Sequence, residues 1–401
     1  MKTLLLSLGI ILSILSNATN YTSVTNGNWS SPLTWGSTTS IPLPGDQVTI
    51  EHTVTLDDQY TNEGYWSCDG EDASITISEN GILQAGENVL GIAILNGGTI
   101  TNNGQYIFPQ LGNYEGSFIN NGTATLNQLI YNQDNIQNAG DILDVDSLKT
   151  TGYFFNENGA RLYVDSIYVE GQFTNLGHIY NHEITNNGTF ENPGTIEFRR
   201  FTNIGDFFHS GSLIGDLDAT NIGFMDLASN STFDLQRSFA NVDSTNHEAL
   251  LIVNGTFNIG DSFFNADTIK GTDGHIYMQD SSLNAGWFKE SFYFCDATPP
   301  SSSPFIDYNT GIIESSVRYC TSENVNLISK NHISFYPNPA NTVLYIDGAN
   351  YIKLIDISGK IVLSKNISNN NSIDIRNLKS GIYFISLENE NKTVVRKLII
   401  E

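Results

Sequence analysis

The chain has 401 residues, room for two or three domains, and its 43 acidic against 18 basic residues give a net charge of −25. Counted along the sequence, 19–331 carries 9 Lys and Arg against 37 Asp and Glu, a net of −28, while 332–401 carries 8 against 6, a net of +2. A body this acidic repels phosphate backbones, which excludes nucleic acid as a partner, and it disfavours polyuronates unless cations bridge the two sets of carboxylates.

In chain order, the first segment reads as a signal peptide over 1–18. Lys2 supplies the positive start, and Leu4 to Leu15 form an apolar run too short to span a bilayer. Ser16-Asn17-Ala18 then has the small-x-small form of a cleavage site. No cysteine follows the cut, which argues against a lipid anchor. No later stretch approaches 18 consecutive apolar residues, so the mature chain is not expected to be transmembrane.

The body, 19–323, is dominated by an Asn-x-Gly element followed by alternating apolar and polar residues. It occurs at Asn102-Asn103-Gly104, Asn120-Asn121-Gly122, Asn138-Ala139-Gly140 and Asn175-Leu176-Gly177, with Asn158-Gly159 alone filling the slot between the last two. The glycines at 104, 122, 140, 159 and 177 are spaced by 18, 18, 19 and 18 residues. Later copies at Asn186, Asn203, Asn221, Asn258 and Asn284 keep the form but lose the spacing. A fixed period near this length marks a solenoid. Asn and Gly tolerate positive φ and suit corners between short strands. Period-two alternation then sends one set of side chains inward. About 18 residues hold two or three strands but no helix with its turns. The expected fold is therefore all-β, a right-handed parallel β-helix. An array of hairpins is the rival, because Asn-Gly is also a hairpin turn signal, and the even spacing favours the β-helix.

The opening of the body differs from its repeats and reads as an N-terminal cap. Trp29 and Trp35 precede Pro42-Leu43-Pro44-Gly45-Asp46-Gln47-Val48-Thr49-Ile50, which resembles the start of a G8-type module on exported β-helix proteins of the Bacteroidetes. The two tryptophans are expected to cover the open end of the core, with a sugar-stacking platform as the alternative. At the far end, Cys295 and Cys320 flank the turn-rich Pro299 to Pro304 segment, and a disulfide between them is expected in an exported protein. Cys68 is left as a buried thiol. The polar stretch 324–332 reads as a linker.

From 333 to 401 the texture changes to evenly spaced strands, expected at 343–346, 351–357, 360–363 and 382–387. Four motifs occur in order: Phe335-Tyr336-Pro337-Asn338-Pro339-Ala340, Leu354-Ile355-Asp356-Ile357-Ser358-Gly359-Lys360-Ile361, Leu378-Lys379-Ser380-Gly381-Ile382-Tyr383-Phe384-Ile385, and Lys397-Leu398-Ile399-Ile400. Together they resemble the type A C-terminal sorting domain of type IX secretion, a small immunoglobulin-like β-sandwich. The resemblance implies export by the type IX secretion machinery to the medium or the outer cell surface. Its signal residues would be Pro337, Asn338, Pro339, Gly359, Lys360, Gly381, Tyr383 and Lys397. Four Asp-Ser or Asp-Thr triplets, at Asp146, Asp165, Asp243 and Asp267, resemble the O-glycosylation acceptor of Bacteroidetes.

No Ser-His-Asp motif, zinc spacing or phosphate loop appears in the sequence. A polysaccharide lyase would draw its base from Lys149, Arg161, Arg199, Arg200, Arg237 or Lys270, and a hydrolase needs two carboxylates at a set separation. His178, His182 and His209 are candidates for a shared groove. Asp141, Asp144 and Asp146, with Asp69, Glu71 and Asp72, are oxygen-rich stretches for which calcium is the candidate ligand, though neither matches a known calcium loop. No catalytic residue and no organic cofactor is assigned. The expected function is a secreted or surface-displayed repeat protein with a binding or scaffold role, extracellular glycan being a candidate partner. A glycan-degrading β-helix enzyme is the alternative.

Overall fold

The computed structural model describes residues 18–57, 64–244, 248–298, 305–320, 334–336, 338, 340–347, 349–356, 360–367, 372–388 and 393–400. The expected signal peptide up to Asn17, the 324–332 linker, Pro337, Pro339 and Gly359 lie outside them. The chain divides into two compact units, 1–325 and 326–401.

The first unit is a parallel β-helix whose coils each contribute three strands. One sheet stacks fifteen strands, from Asn20–Thr22 to Ile312–Ile313. The second sheet starts from Gly27–Asn28, Thr53–Leu56 and Ile82–Ala85, and the third from Tyr65–Asp69 and Gly91–Leu95. Five long strands, Gln105–Asn113, Thr123–Asn132, Asp141–Thr150, Arg161–Val169 and His178–Asn186, run through the corner between second and third sheets without a break. Beyond them the corner interrupts the chain: His178–Asn186 pairs with both Thr195–Phe198 and Arg200–Asn203. Thr123 faces Gln105 on one side and Asp141 on the other, so the coil period is the 18-residue period of the sequence.

The alternation decides what lies inside. In Thr195–Phe198, Ile196 and Phe198 are buried while Thr195 and Glu197 face out. Identical positions in successive coils sit one strand spacing apart, so like side chains stack. Phe154, Phe173, Phe190 and Phe207 form such a column, with ring centroids 4.7, 4.6 and 5.5 Å apart. At the N-terminal end Trp29, Trp35 and Trp66 are buried together, Trp29 lying 5.1 Å from Trp35 and 4.7 Å from Trp66. Trp29 and Trp35 therefore cap the core and offer no ring face to a sugar.

The Asn-x-Gly element works differently from the corner reading. Its Asn side chains point inward and hydrogen-bond from coil to coil in two separate ladders. One, at the corner between first and second sheets, joins Asn102, Asn120, Asn138, Asn156, Asn175 and Asn192, each Nδ2 donating to the next Oδ1 at 2.7–2.8 Å. The other, between third and first sheets, runs Asn186, Asn203, Asn221, Asn241, Asn265 and Asn284 at 2.7–2.8 Å. Every rung named here is fully buried, and none has positive φ. The sequence spacing loses its regularity after Gly177 because the recognisable copies pass from one ladder to the other. Asn258 belongs to neither; it lies in Thr256–Ile259 and donates to Asp234 at 2.6 Å.

The corner glycines are needed for close approach. A Cβ on Gly140 would lie 2.0 Å from the carbonyl oxygen of Gly122, one coil earlier. Gly159 is the copy that fits the turn reading, with φ +86° and open space around it.

His209 ends the first ladder. It is buried, with Nδ1 3.0 Å from Asn192 Nδ2 and Nε2 2.9 Å from the Thr232 carbonyl oxygen. Burial pushes its pKa below the ordinary value. The unfolded chain therefore takes up the proton first. The stability held by neutral His209 is complete above about pH 6.5 and falls as pH drops below it. Thermal melts should show His209→Asn, which continues the ladder with a group that does not titrate, losing less stability than the native chain between about pH 6.5 and 5.

At the other end of the body Cys295 and Cys320 are disulfide-bonded, with Cα atoms 4.8 Å apart. A closed loop of this length contributes about 3 kcal/mol by restricting the unfolded chain. Cys68 is free and buried, and burial pushes its thiol up to about 12.

The second unit is antiparallel. Ser334–Tyr336, Val343–Asp347 and Ser372–Asp374 form one sheet. Ile361–Asn366, Tyr351–Asp356, Gly381–Glu388 and Thr393–Ile400 form the other, in that order. Leu344, Ile352, Leu354, Ile373, Ile385 and Leu398 are buried in its own core, as in a small β-sandwich.

Candidate functional site

Three sheets present three outward faces, and the second carries a cluster of charged, aromatic and histidine side chains. Register places Asp141, Arg161, His178 and Thr195 in one outward column, with Tyr163, Tyr180 and Glu197 in the next. Arg161 Nε donates to Asp141 Oδ1 at 2.8 Å, and this carboxylate pushes the guanidinium pKa up. His178 Nε2 lies 3.1 Å from Glu197 Oε1. Tyr163 and Tyr180 stack at 4.6 Å, and His178 stacks on Tyr180 at 4.0 Å, so these rings cover one another's faces. Beside them the corner glycines Gly177, Gly194 and Gly211 leave a shallow groove, bordered by Pro193 on one side and by Arg161, His178 and Thr195 on the other.

Four other candidate cations are also matched to acids. Lys149 lies 2.9 Å from Glu170, Arg200 3.1 Å from Glu183, Arg237 3.9 Å from Asp261 and Lys270 3.8 Å from Glu290. The Arg199 backbone N–H donates to the His182 carbonyl oxygen at 3.1 Å. These pairs are largely exposed and each contributes little stability. The three histidines do not share a groove: His178 faces out from the second sheet, His182 lies 3.3 Å from Asp165 on the surface, and His209 is inside. Among the described residues no group of three or more His, Cys, Asp or Glu is placed to hold a metal ion. Asp141 is held by Arg161, and burial pushes the Asp144 carboxyl up.

In the second unit the motif residues lock the last strand. Asn338 Nδ2 donates to the Lys397 carbonyl oxygen at 3.0 Å, and Asn338 Oδ1 accepts from the Ile399 N–H at 2.8 Å. Tyr383 Oη donates to the Lys379 carbonyl oxygen at 2.7 Å. Lys360 N–H donates to Asp356 Oδ1 at 3.0 Å, just before Ile361–Asn366. Gly381 pairs with Ile400 and Phe384 with Lys397, whose side chain is exposed. One end of the chain is thus held as a strand by a side chain about 60 residues away. Residues 334–401 match the secretion system C-terminal sorting domain. No curated protein matches the chain.

The sorting domain makes this a secreted or outer-surface protein handled by the type IX secretion machinery. Among the described residues no helix is long and apolar enough to cross a membrane. Sequence reasoning missed the Asn113, Asn132, Asn156, Asn192, Asn241 and Asn265 side chains as buried rungs; the steps of 19, 17 and 20 residues from Asn113 to Asn132, Asn175 to Asn192 and Asn221 to Asn241 were the available signal.

Proposed function

We propose that the exported β-helix is a non-catalytic binding or scaffold surface carried outside the cell by its sorting domain. The observation behind this reading is the pairing of outward basic side chains with acids, Arg161 with Asp141 and His178 with Glu197 beside the groove. A lyase base has to be free to take a proton, and a charge neutraliser has to face the substrate. A second reading, a polysaccharide-degrading enzyme, is favoured by the same groove because it brings an arginine, a histidine and two carboxylates together. The test incubates the chain from Thr19 onward with a panel of polysaccharides, with and without calcium, and follows polymer size by chromatography. Unchanged polymers, with or without co-elution, are the expected result. Shortening of any polymer that disappears in His178→Ala would establish the enzyme instead.

A further inference from the structure

The outward face of the first sheet changes character along the solenoid. Its N-terminal part is polar, with Thr22, Thr49, Thr76 and Thr101 stacked in one register column. Farther on, the same column reads Phe208, Asp226 and Ile252, and the neighbouring column Phe224 and Leu250. Phe208 is 40 % exposed and its ring lies 5.4 Å from that of Phe224. Asp226 sits among these apolar side chains with its Oδ1 shielded from water and without a hydrogen-bond partner. Such an atom costs stability in the free protein, and because Asp226 is only half-buried, its other oxygen is the one that an incoming donor can meet. The nearest cation along the column, Lys270, lies 3.8 Å from Glu290; its charge also reaches Asp226 and offsets part of the burial, without a hydrogen bond to Oδ1.

We propose that Phe208, Phe224, Leu250 and Ile252 around Asp226 form a docking site for an apolar peptide segment that presents a lysine ammonium to the Asp226 carboxylate. The charge argues for a cation: the body of net −28 attracts basic partners over long range, and the carboxylate fixes one of them locally. The rings argue for the same guest, because phenylalanine faces attract an ammonium and cover its methylene stem. Sugar hydroxyls would find one acceptor and no donors on this patch.

This inference rests on reading the body as a binding surface, and its test is separate from the polysaccharide assay: cleavage of a polymer would remove that reading without changing the affinity measured here. The probes are acetyl-Phe-Lys-Leu-amide and its counterpart with norleucine in place of lysine, titrated against the mature chain at physiological salt by ligand-detected NMR. The expected result is saturable binding of the lysine peptide, weakened at least tenfold by Asp226→Asn and by the norleucine exchange. Asp206→Asn, which removes an exposed acid beside the patch, should change it less than twofold. Matching melting curves for the two variants show that each is folded. Equal weakening by both variants would mean general attraction to an acidic surface, and that result, or no saturable binding to the native chain, overturns the proposal.

Discussion

Replacing Asn203 with alanine should destabilise the β-helix by about 3 kcal/mol, measured as a loss of unfolding free energy in denaturant. Asn203 Nδ2 donates to Asn221 Oδ1 at 2.8 Å, to the Phe224 carbonyl oxygen at 2.8 Å and to the Gly205 carbonyl oxygen at 3.1 Å, while its own Oδ1 accepts from Asn186. Truncation leaves these partners in a dry interior and opens a cavity. Aspartate at the same position keeps the shape but replaces the donor by a charge facing two carbonyl oxygens, so Asn203→Asp should cost more than Asn203→Ala at neutral pH. Because each coil contacts mainly its neighbours, the loss should begin as local opening around this rung. Hydrogen exchange in Asp206–His209 and Phe224–Leu227 would accelerate before that of coils at the ends.

The second large effect concerns the corners. Gly140→Ala places a methyl group 2.0 Å from the Gly122 carbonyl oxygen and 2.8 Å from the Asn121 carbonyl carbon, both backbone atoms that cannot rotate away. The coils must separate there, breaking the ladder contact between Asn120 and Asn138. A loss of about 4 kcal/mol or more is expected, at the severe end for one substitution. Gly159→Ala is the control. It meets no atom within 4 Å and carries only the strain of φ +86°, so it should cost about 1 kcal/mol. Comparable effects for the two substitutions would contradict the stacking account.

Much of this fold is legible in the sequence, for a physical reason. A solenoid repeats its local problem in every coil, so the 18-residue step and the period-two alternation appear directly in the residues. The cap tryptophans were legible on the same ground, since an open apolar end has to be covered. The chemistry behind Asn-x-Gly was not. Asn tolerates positive φ and also makes buried amide ladders, and a single copy of the motif does not distinguish these uses; only the inward parity of Asn138, like Ile136 two residues before it, does so. The outward faces were less legible still. Arg161 meets Asp141 across 20 residues and His178 meets Glu197 across 19, so the register between coils, not nearness in sequence, assembles the groove. Asp226 gives no sequence signal, because an acid at an outward position looks the same whether its neighbours are polar or aromatic.

Deleting 334–401 and locating the product tests the export account most directly. In a host with type IX machinery, the full chain and the chain lacking 334–401 would be followed by fractionation and by protease accessibility on intact cells. The account predicts that the full chain reaches the medium or the outer surface while the truncated β-helix, still folded, stays behind the outer membrane. Equal export of both chains would contradict it.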